Sequence, residues 1–454
     1  MGKQQGSREA FATKFGVIAA TAGSAVGLGN IWRFPYLTGE YGGAAFLVVY
    51  LLFVLAIGIP VMLSEFVIGR SALQNPYGAF RKLAPGKPWY LVGLMGVAAA
   101  FMILAFYTTV AGWTLEYIYQ SVSGGIRGKD GGQLGEMFSQ FRDASWRPVL
   151  WFFIFMGLTS WIIISGVKKG IEKSTVILMP ILFIILVVLG IRSLTLPGSI
   201  EGIRFLFRPD FSKIDSGAVL AALGQVFFSM SIGMGTLITY ASYFPKSDNL
   251  LSTSFSVAIT DTLVAILAGI VIFPAVFSFH IEPGYGPGLV FVTLPGIFQQ
   301  MAGGSFFATL FFLLLALAAL TSTISVLEVI VAFFTEELKL TRGAATWIAS
   351  GTVSLLGLMC TLSWNPLLSG VSLFGKNTFE LLDFTSANIL LPVGGFFIVM
   401  FVAWFFGREK TTAELSNQGT LKAGYIPAYL FIIRYIAPIA LAIIFLNGIG
   451  LLSL

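Results

Sequence analysis

The chain has 454 residues, of which 56% are hydrophobic and only 11% charged, with a mean hydropathy of +0.88. A soluble domain carries about 25% charged residues, so this composition excludes a water-soluble enzyme and a secreted domain. A single cysteine (Cys360) and a single histidine (His280) exclude a disulfide framework and multi-ligand thiolate or imidazole metal chemistry. The formal charge of +6 is spread over short loops with no dense basic run, so no nucleic-acid partner is expected.

In chain order, apolar stretches long enough to cross a bilayer fall at 13–38, 43–70, 90–122, 148–167, 172–192, 217–243, 250–278, 304–337, 344–363, 377–406 and 426–452. They are continuous rather than alternating, which predicts an all-α polytopic membrane protein and not a β-barrel. Lys3, Arg8 and Lys14 precede Ala20-Thr21-Ala22, a pattern like a cleaved leader. The apolar stretch continues through Trp32, so we read it as span 1. The longer connections, 123–147, 193–216 and 279–303, read as loops. Basic residues such as Arg70, Arg81, Lys82, Lys168, Lys169 and Lys246 gather in short loops on the N-terminal side. The expected topology is therefore a cell-membrane protein with its N-terminus cytoplasmic and, after an odd number of spans, its C-terminus outside.

Two spans are not ordinary helices. Span 1 contains Gly23-Ser24-Ala25-Val26-Gly27-Leu28-Gly29-Asn30, and span 6 contains Ser229-Met230-Ser231-Ile232-Gly233-Met234-Gly235-Thr236. Clustered glycine weakens a helix interior, and unwound backbone at membrane depth survives only where protein or a cavity surrounds it. Small residues also serve close helix packing without unwinding, so either segment alone is ambiguous. The two lie five spans apart, and a five-span repeat must reverse its direction in the membrane. Interruptions at matching places in inverted halves point to a transporter's central site.

Gly27-Leu28-Gly29-Asn30-Ile31-Trp32-Arg33-Phe34-Pro35-Tyr36 resembles the first-span signature of the neurotransmitter:sodium symporter family. The likeness continues through Glu65-Phe66-Val67-Ile68-Gly69-Arg70, Gln225-Val226-Phe227-Phe228-Ser229, Ile238-Thr239-Tyr240, Leu320-Thr321-Ser322 and Arg434-Tyr435, so it covers nearly the whole chain. Eleven spans are similar to the family's eleven-span bacterial branch. The resemblance implies one transporter domain over 1–454 with the LeuT fold. That fold comprises a first five-span repeat at 13–192, an inverted second repeat at 217–406 and an extra span at 426–452.

The resemblance also implies a substrate site. The carboxylate of an amino acid would lie on the amides of Leu28 and Gly29, at the positive end of a half-helix, with the Tyr107 hydroxyl assisting. The ammonium would take the carbonyls of Ala25, Phe228 and Ser229 and the Ser231 hydroxyl, beside Ser24. In monoamine carriers an aspartate is similar in position to Gly27, so glycine here implies a substrate that brings its own carboxylate. Ile103, Tyr107, Phe228, Met234, Ser322 and Val326 would line a largely apolar side-chain pocket, in which methionine adapts its shape. Hydrophobic or aromatic L-amino acids are the expected substrates.

The resemblance further implies two sodium ions. The first maps onto Ala25, Asn30, Ser229 and Asp261, and the second onto Gly23, Val26, Ala318, Thr321 and Ser322. Taken alone, Thr321-Ser322-Thr323 is the kind of sequence that often hydrogen-bonds within a membrane helix, whereas a carboxylate such as Asp261 in an apolar span is a functional signal. With span 7 anchored on Gly269, Asp261 and Ala265 stand where chloride-requiring members have asparagine and serine. Chloride independence follows as an expectation. Arg33 and Asp383, with Tyr107 and Phe228, would form an outer gate, and Arg8 with Glu336 an inner one. Glu65 would bond the broken backbone of span 6 or carry a proton. Gly170 and Pro180 bracket nine residues of span 5, similar to a family motif for inward release, although proline kinks alone are common in membrane helices.

The expected function is sodium-coupled symport of hydrophobic or aromatic amino acids by alternating access. The competing readings are an amino acid sensor, an uncoupled facilitator or channel, and a symporter for small neutral amino acids. No nucleophile–base pair or phosphate loop supports an enzyme, and no obligate protein partner is implied.

Overall fold

The structure, a computed structural model, describes residues 9–279 and 288–452. Arg8 of the expected inner gate and His280 lie outside the described residues. Among the described residues nine helices are long and apolar enough to cross a membrane, and Lys14–Ala25 with Gly29–Glu40, bent by 54°, makes a tenth if the pair is counted as one span. Ser216–Ser229 and Thr236–Ala241 flank a second interruption, in the stretch expected as span 6.

Both expected interruptions are present, and each is shorter than the glycine-rich run that announces it. Span 1 leaves its helix at Val26, whose backbone is extended at φ −69° and ψ 110°, and resumes by Gly29. Span 6 is open from Met230 to Gly235, with Gly233 at φ +85° and Gly235 at φ +78°. Those values favour glycine over any residue with a Cβ. Ser231 also sits at φ +55°.

The span ends follow local chemistry. Thr13 caps span 1 by accepting the Gly16 amide at 2.9 Å. Wide, π-type turns interrupt five spans or connections just ahead of Pro35, Pro60, Pro295, Pro392 and Pro438. Proline supplies no N–H and crowds the carbonyl one turn back, so the helix widens before it. The three long connections are not simple loops. They hold helices Gly131–Asp143, Ser199–Phe207 and Leu294–Gln299. The first is set by a capping box between Asp130 and Gln133. Span 10 continues through Leu415, beyond the expected end at 406.

Span 3 (Tyr90–Val122) and span 8 (Gly304–Glu337) pack along each other at the centre. Hydroxyl pairs then tie span 4 (Arg147–Ile164) to its neighbours, with Thr159 and Thr323 2.9 Å apart and Ser160 and Ser350 2.7 Å apart. Such pairs replace the hydrophobic drive that lipid cannot provide. Two buried charges within the bundle are matched by opposite ones. Buried Glu116 accepts from Arg147 and Trp151, and buried Arg70 is held by Glu414 and Asn417, as the cost of unpaired charge in a low dielectric requires. The opposite surfaces expose Trp161, Trp347 and Leu355, the side chains expected to meet lipid.

Candidate substrate and cation sites

The interruptions of spans 1 and 6 face each other across one small cavity. Of the residues expected to bind substrate, Ser24, Ala25, Gly27, Gly29, Ile103, Tyr107, Phe228, Ser231, Met234, Ser322 and Val326 line it. Leu28 and Ser229 do not. Leu28 lines the neighbouring vestibule, and Ser229 turns its hydroxyl to Asp261. Leu104 and Thr323 also line the cavity and escaped sequence reading, since nothing in an apolar span or a Ser/Thr run marks which side faces a ligand.

Hydrogen bonds orient the cavity's polar groups. The Leu28 amide donates to the Tyr107 hydroxyl at 2.8 Å, leaving the tyrosine proton free to point elsewhere. The Ser231 hydroxyl donates to the Ser24 carbonyl at 2.8 Å, which leaves its lone pairs as acceptors. A Cβ added to Gly27 would lie 2.5 Å from Ser322 Oγ and 2.7 Å from the Tyr107 hydroxyl. Gly29 packs under the Phe228 ring, whose Cδ1 would be 3.0 Å from an added Cβ. The open segment of span 6 is held by Glu65, whose Oε1 accepts the Gly233 amide at 2.7 Å. Gln225 donates to the Gly29 carbonyl at 2.9 Å.

On one side of this cavity stands Asp261, fully buried. Its carboxylate accepts from Ser229 Oγ at 3.0 and 2.9 Å, from Asn30 Nδ2 at 2.7 Å and from the Tyr50 hydroxyl at 3.2 Å. Tyr50 is an addition that sequence alone did not offer, because it lies in the apolar first half of span 2 among ordinary hydrophobic residues. The Asn30 amide turns its nitrogen, not its oxygen, toward Asp261 and Ser229, while Oδ1 accepts the Gly27 amide at 3.0 Å. On another side, Ser322 Oγ is 3.2 Å from the Val26 carbonyl, and Thr321 Oγ1 is 3.4 Å from Val26 O and 3.0 Å from Ala318 O. Gly23 abuts Thr321, whose Cβ would be 3.3 Å from an added Cβ. Both clusters offer oxygen, the donor a hard cation prefers. Among the described residues, no three of His, Cys, Asp and Glu gather as a transition-metal site would need.

The expected outer gate is arranged differently from a simple ion bridge. Arg33 and Asp383 line one vestibule with Trp32, Tyr36, Tyr107 and Phe228, and each feels the other's charge. Among the described residues no ion pair joins them, and Arg33 lies 4.7 Å over the Phe228 ring. Glu336 Oε2 accepts the Asn75 amide at 2.7 Å and Asn75 Nδ2 at 2.9 Å, contacts that spacing did not announce. The start of span 5 is wound, with a wide turn over Val167–Glu172 and α-helix from Lys173 through Pro180 to Leu194. Gly170 is required by close packing, since a Cβ there would meet the Ile162 carbonyl at 2.0 Å.

A family model described as the Sodium:neurotransmitter symporter family matches residues 8–130 and 136–453. The chain belongs to that family. It is 39% identical over 443 residues to the sodium-dependent transporter YhdH of Bacillus subtilis, covering 98% of both chains. A sodium-dependent transporter of Haemophilus influenzae is 37% identical, with 97% of this chain and 98% of the relative covered. Among solved structures, the chain is similar to MhsT in complex with L-phenylalanine. The identity is 46% and the TM-score 0.89, over 97% of this chain and all of that one. The protein is thus a multi-pass, sodium-dependent transporter of a small molecule with the LeuT-like fold, and not an enzyme.

Proposed function

We propose that the protein imports hydrophobic or aromatic L-amino acids together with two sodium ions, without chloride, by alternating access. The observation that carries this reading is a mostly apolar cavity enclosed by two helix interruptions and flanked by two oxygen-rich clusters. Amino acid carboxylate would take the place of the Tyr107 hydroxyl on the Leu28 amide and accept a hydrogen bond from that hydroxyl. Ammonium would donate to Ser231, whose hydroxyl is already directed at Ser24. Ile103, Leu104, Met234 and Val326 surround the remaining space and suit an apolar side chain. L-phenylalanine, bound by the similar MhsT, is of this class.

The first sodium ion would be held by Asp261, Ser229 and the Ala25 carbonyl, and by Asn30 once its amide turns to present Oδ1. The second would lie among the oxygens of Gly23, Val26, Ala318, Thr321 and Ser322. Arg33, Asp383, Phe228 and Tyr107 close the outer side, and Arg8 with Glu336 the inner side. The N-terminus is cytoplasmic and the C-terminus outside, with 13–192 and 217–406 as inverted repeats and 426–452 as the added span. Two sodium ions moving down 100 mV and a tenfold gradient release about 7 kcal/mol, enough to concentrate a zwitterion roughly 10⁵-fold.

The test is uptake of labelled phenylalanine in proteoliposomes, competed by each of the twenty amino acids. Leucine, tyrosine and tryptophan should compete in sodium, and choline in its place should abolish accumulation. Undiminished accumulation in choline would sink the coupling, and preferential competition by glycine or alanine would sink the substrate class.

A further inference from the structure

On the face where span 1 begins, two carboxylates cross between spans 1 and 5. Glu172 Oε2 accepts the Ala12 amide at 2.8 Å, and Oε1 accepts the Thr13 amide at 3.1 Å and the Thr13 hydroxyl at 2.9 Å. Glu9 returns the contact. Its Oε2 accepts the amide of Val167, the first residue of the turn that opens span 5, at 2.6 Å. Each helix start thus has otherwise free N–H groups satisfied by a carboxylate carried on the other segment.

Glycines make room for both contacts. A Cβ on Gly16 would fall 2.0 Å from Glu172 Oε1. Gly166 turns the chain at φ +93°, and a Cβ there would lie 3.3 Å from both Glu9 oxygens. Glu172 is only 6% exposed, so water cannot readily take its place. Thr13 accepts the Gly16 amide while donating to Glu172, so losing Glu172 also loosens the cap of span 1.

We propose that this reciprocal clasp, in which Glu9 ahead of span 1 holds the start of span 5 and Glu172 of span 5 holds the start of span 1, latches the inner release route shut. Spans 1 and 5 can part only when both helix starts surrender their acceptors. Glu172 lies between Gly170 and Pro180, so the clasp holds the very turn whose unwinding would open the route. It is separate from Glu336, which is held by Asn75 after span 2. The proposal rests on the transport reading above.

The test places a reporter cysteine at Ala19, buried on span 1, in a Cys360→Ser background. A membrane-impermeant maleimide is applied to reconstituted full-length protein from the face carrying Thr13. In the parent, sodium should slow labelling. In sodium, Glu172→Ala and Gly16→Ala should each speed labelling about fivefold or more. Gly16→Ala keeps the carboxylate but displaces it, and Glu172→Gln, with one acceptor oxygen left, should fall between parent and alanine. The Glu9→Ala/Glu172→Ala double variant should be little faster than the faster single, because both carboxylates close one gap. Sodium-dependent phenylalanine binding checks that each variant is folded, and should Glu172→Ala not fold, Glu9→Ala at an exposed residue carries the same comparison. Labelling within twofold of the parent in folded variants overturns the clasp. A parent whose labelling ignores sodium overturns the transport reading instead.

Discussion

The Gly233 amide donates to Glu65 Oε1 at 2.7 Å, so a carboxylate on span 2 holds the open segment of span 6. Both residues are buried, and no solvent is at hand to replace the bond. Glu65→Ala should strand the Gly233 N–H at a cost of about 1–3 kcal/mol. The expected outcome is a lower unfolding temperature in detergent and phenylalanine binding weakened about tenfold or more. Glu65→Gln keeps an acceptor and should recover most of both. Equal losses in the two variants would show that charge, not the bond to Gly233, is what the position supplies.

The broad plan was legible because it rests on period and punctuation. Continuous apolar runs locate the spans, and the paired glycine-rich interruptions locate the cavity between spans 1 and 6. What escaped depends on packing between distant segments. Tyr50 reaches Asp261, Asn75 reaches Glu336 and Glu172 reaches Thr13, and in each case a three-dimensional neighbour is absent from local sequence. The helices inside the long connections escaped for another reason. Gly131–Asp143 is polar enough to read as loop, and only the Asp130–Gln133 capping box marks its start. The orientation of the Asn30 amide is likewise decided by the Gly27 N–H it accepts, not by residue type.

Gly27 leaves no room for a side chain. A Cβ would press on Ser322 Oγ and the Tyr107 hydroxyl, and neither can withdraw freely. Ser322 is bonded to Val26 and Tyr107 to Leu28. Gly27→Ala should weaken phenylalanine binding by about 100-fold, a loss of about 2.7 kcal/mol. Gly27→Asp should abolish it, adding a fixed carboxylate beside the substrate's own. Binding calorimetry with circular dichroism as a folding control checks this, and unchanged affinity in either variant would place the amino acid elsewhere.

Ser322 and Thr321 converge on the Val26 carbonyl. Ser322→Ala removes one hydroxyl ligand from the proposed second sodium site, and Thr321→Ala removes the other. Each should raise the sodium concentration for half-maximal uptake about tenfold, equivalent to about 1.4 kcal/mol. Lithium and choline controls distinguish lost cation affinity from a general loss of activity. A sodium curve that keeps its midpoint while the maximum falls would mean that these hydroxyls serve packing alone.

Ser229 and Tyr50 both donate to Asp261, and Ala265 follows one turn later on the same buried face of span 7. Two sodium ions beside a neutral zwitterion leave excess positive charge in a low-dielectric site, where it is costly unless compensated. Asp261 supplies a fixed negative charge there, so transport should be indifferent to chloride. Replacing chloride by gluconate should leave uptake unchanged. Asp261→Asn combined with Ala265→Ser removes the fixed charge and adds a hydroxyl donor beside those of Ser229 and Tyr50. That set can hold a halide, so the double variant should take up phenylalanine only when chloride is present. Asp261→Asn alone should lose uptake in either medium, because it removes the charge without building the anion's donors. Wild-type uptake that collapses in gluconate would show that Asp261 does not carry the compensating charge.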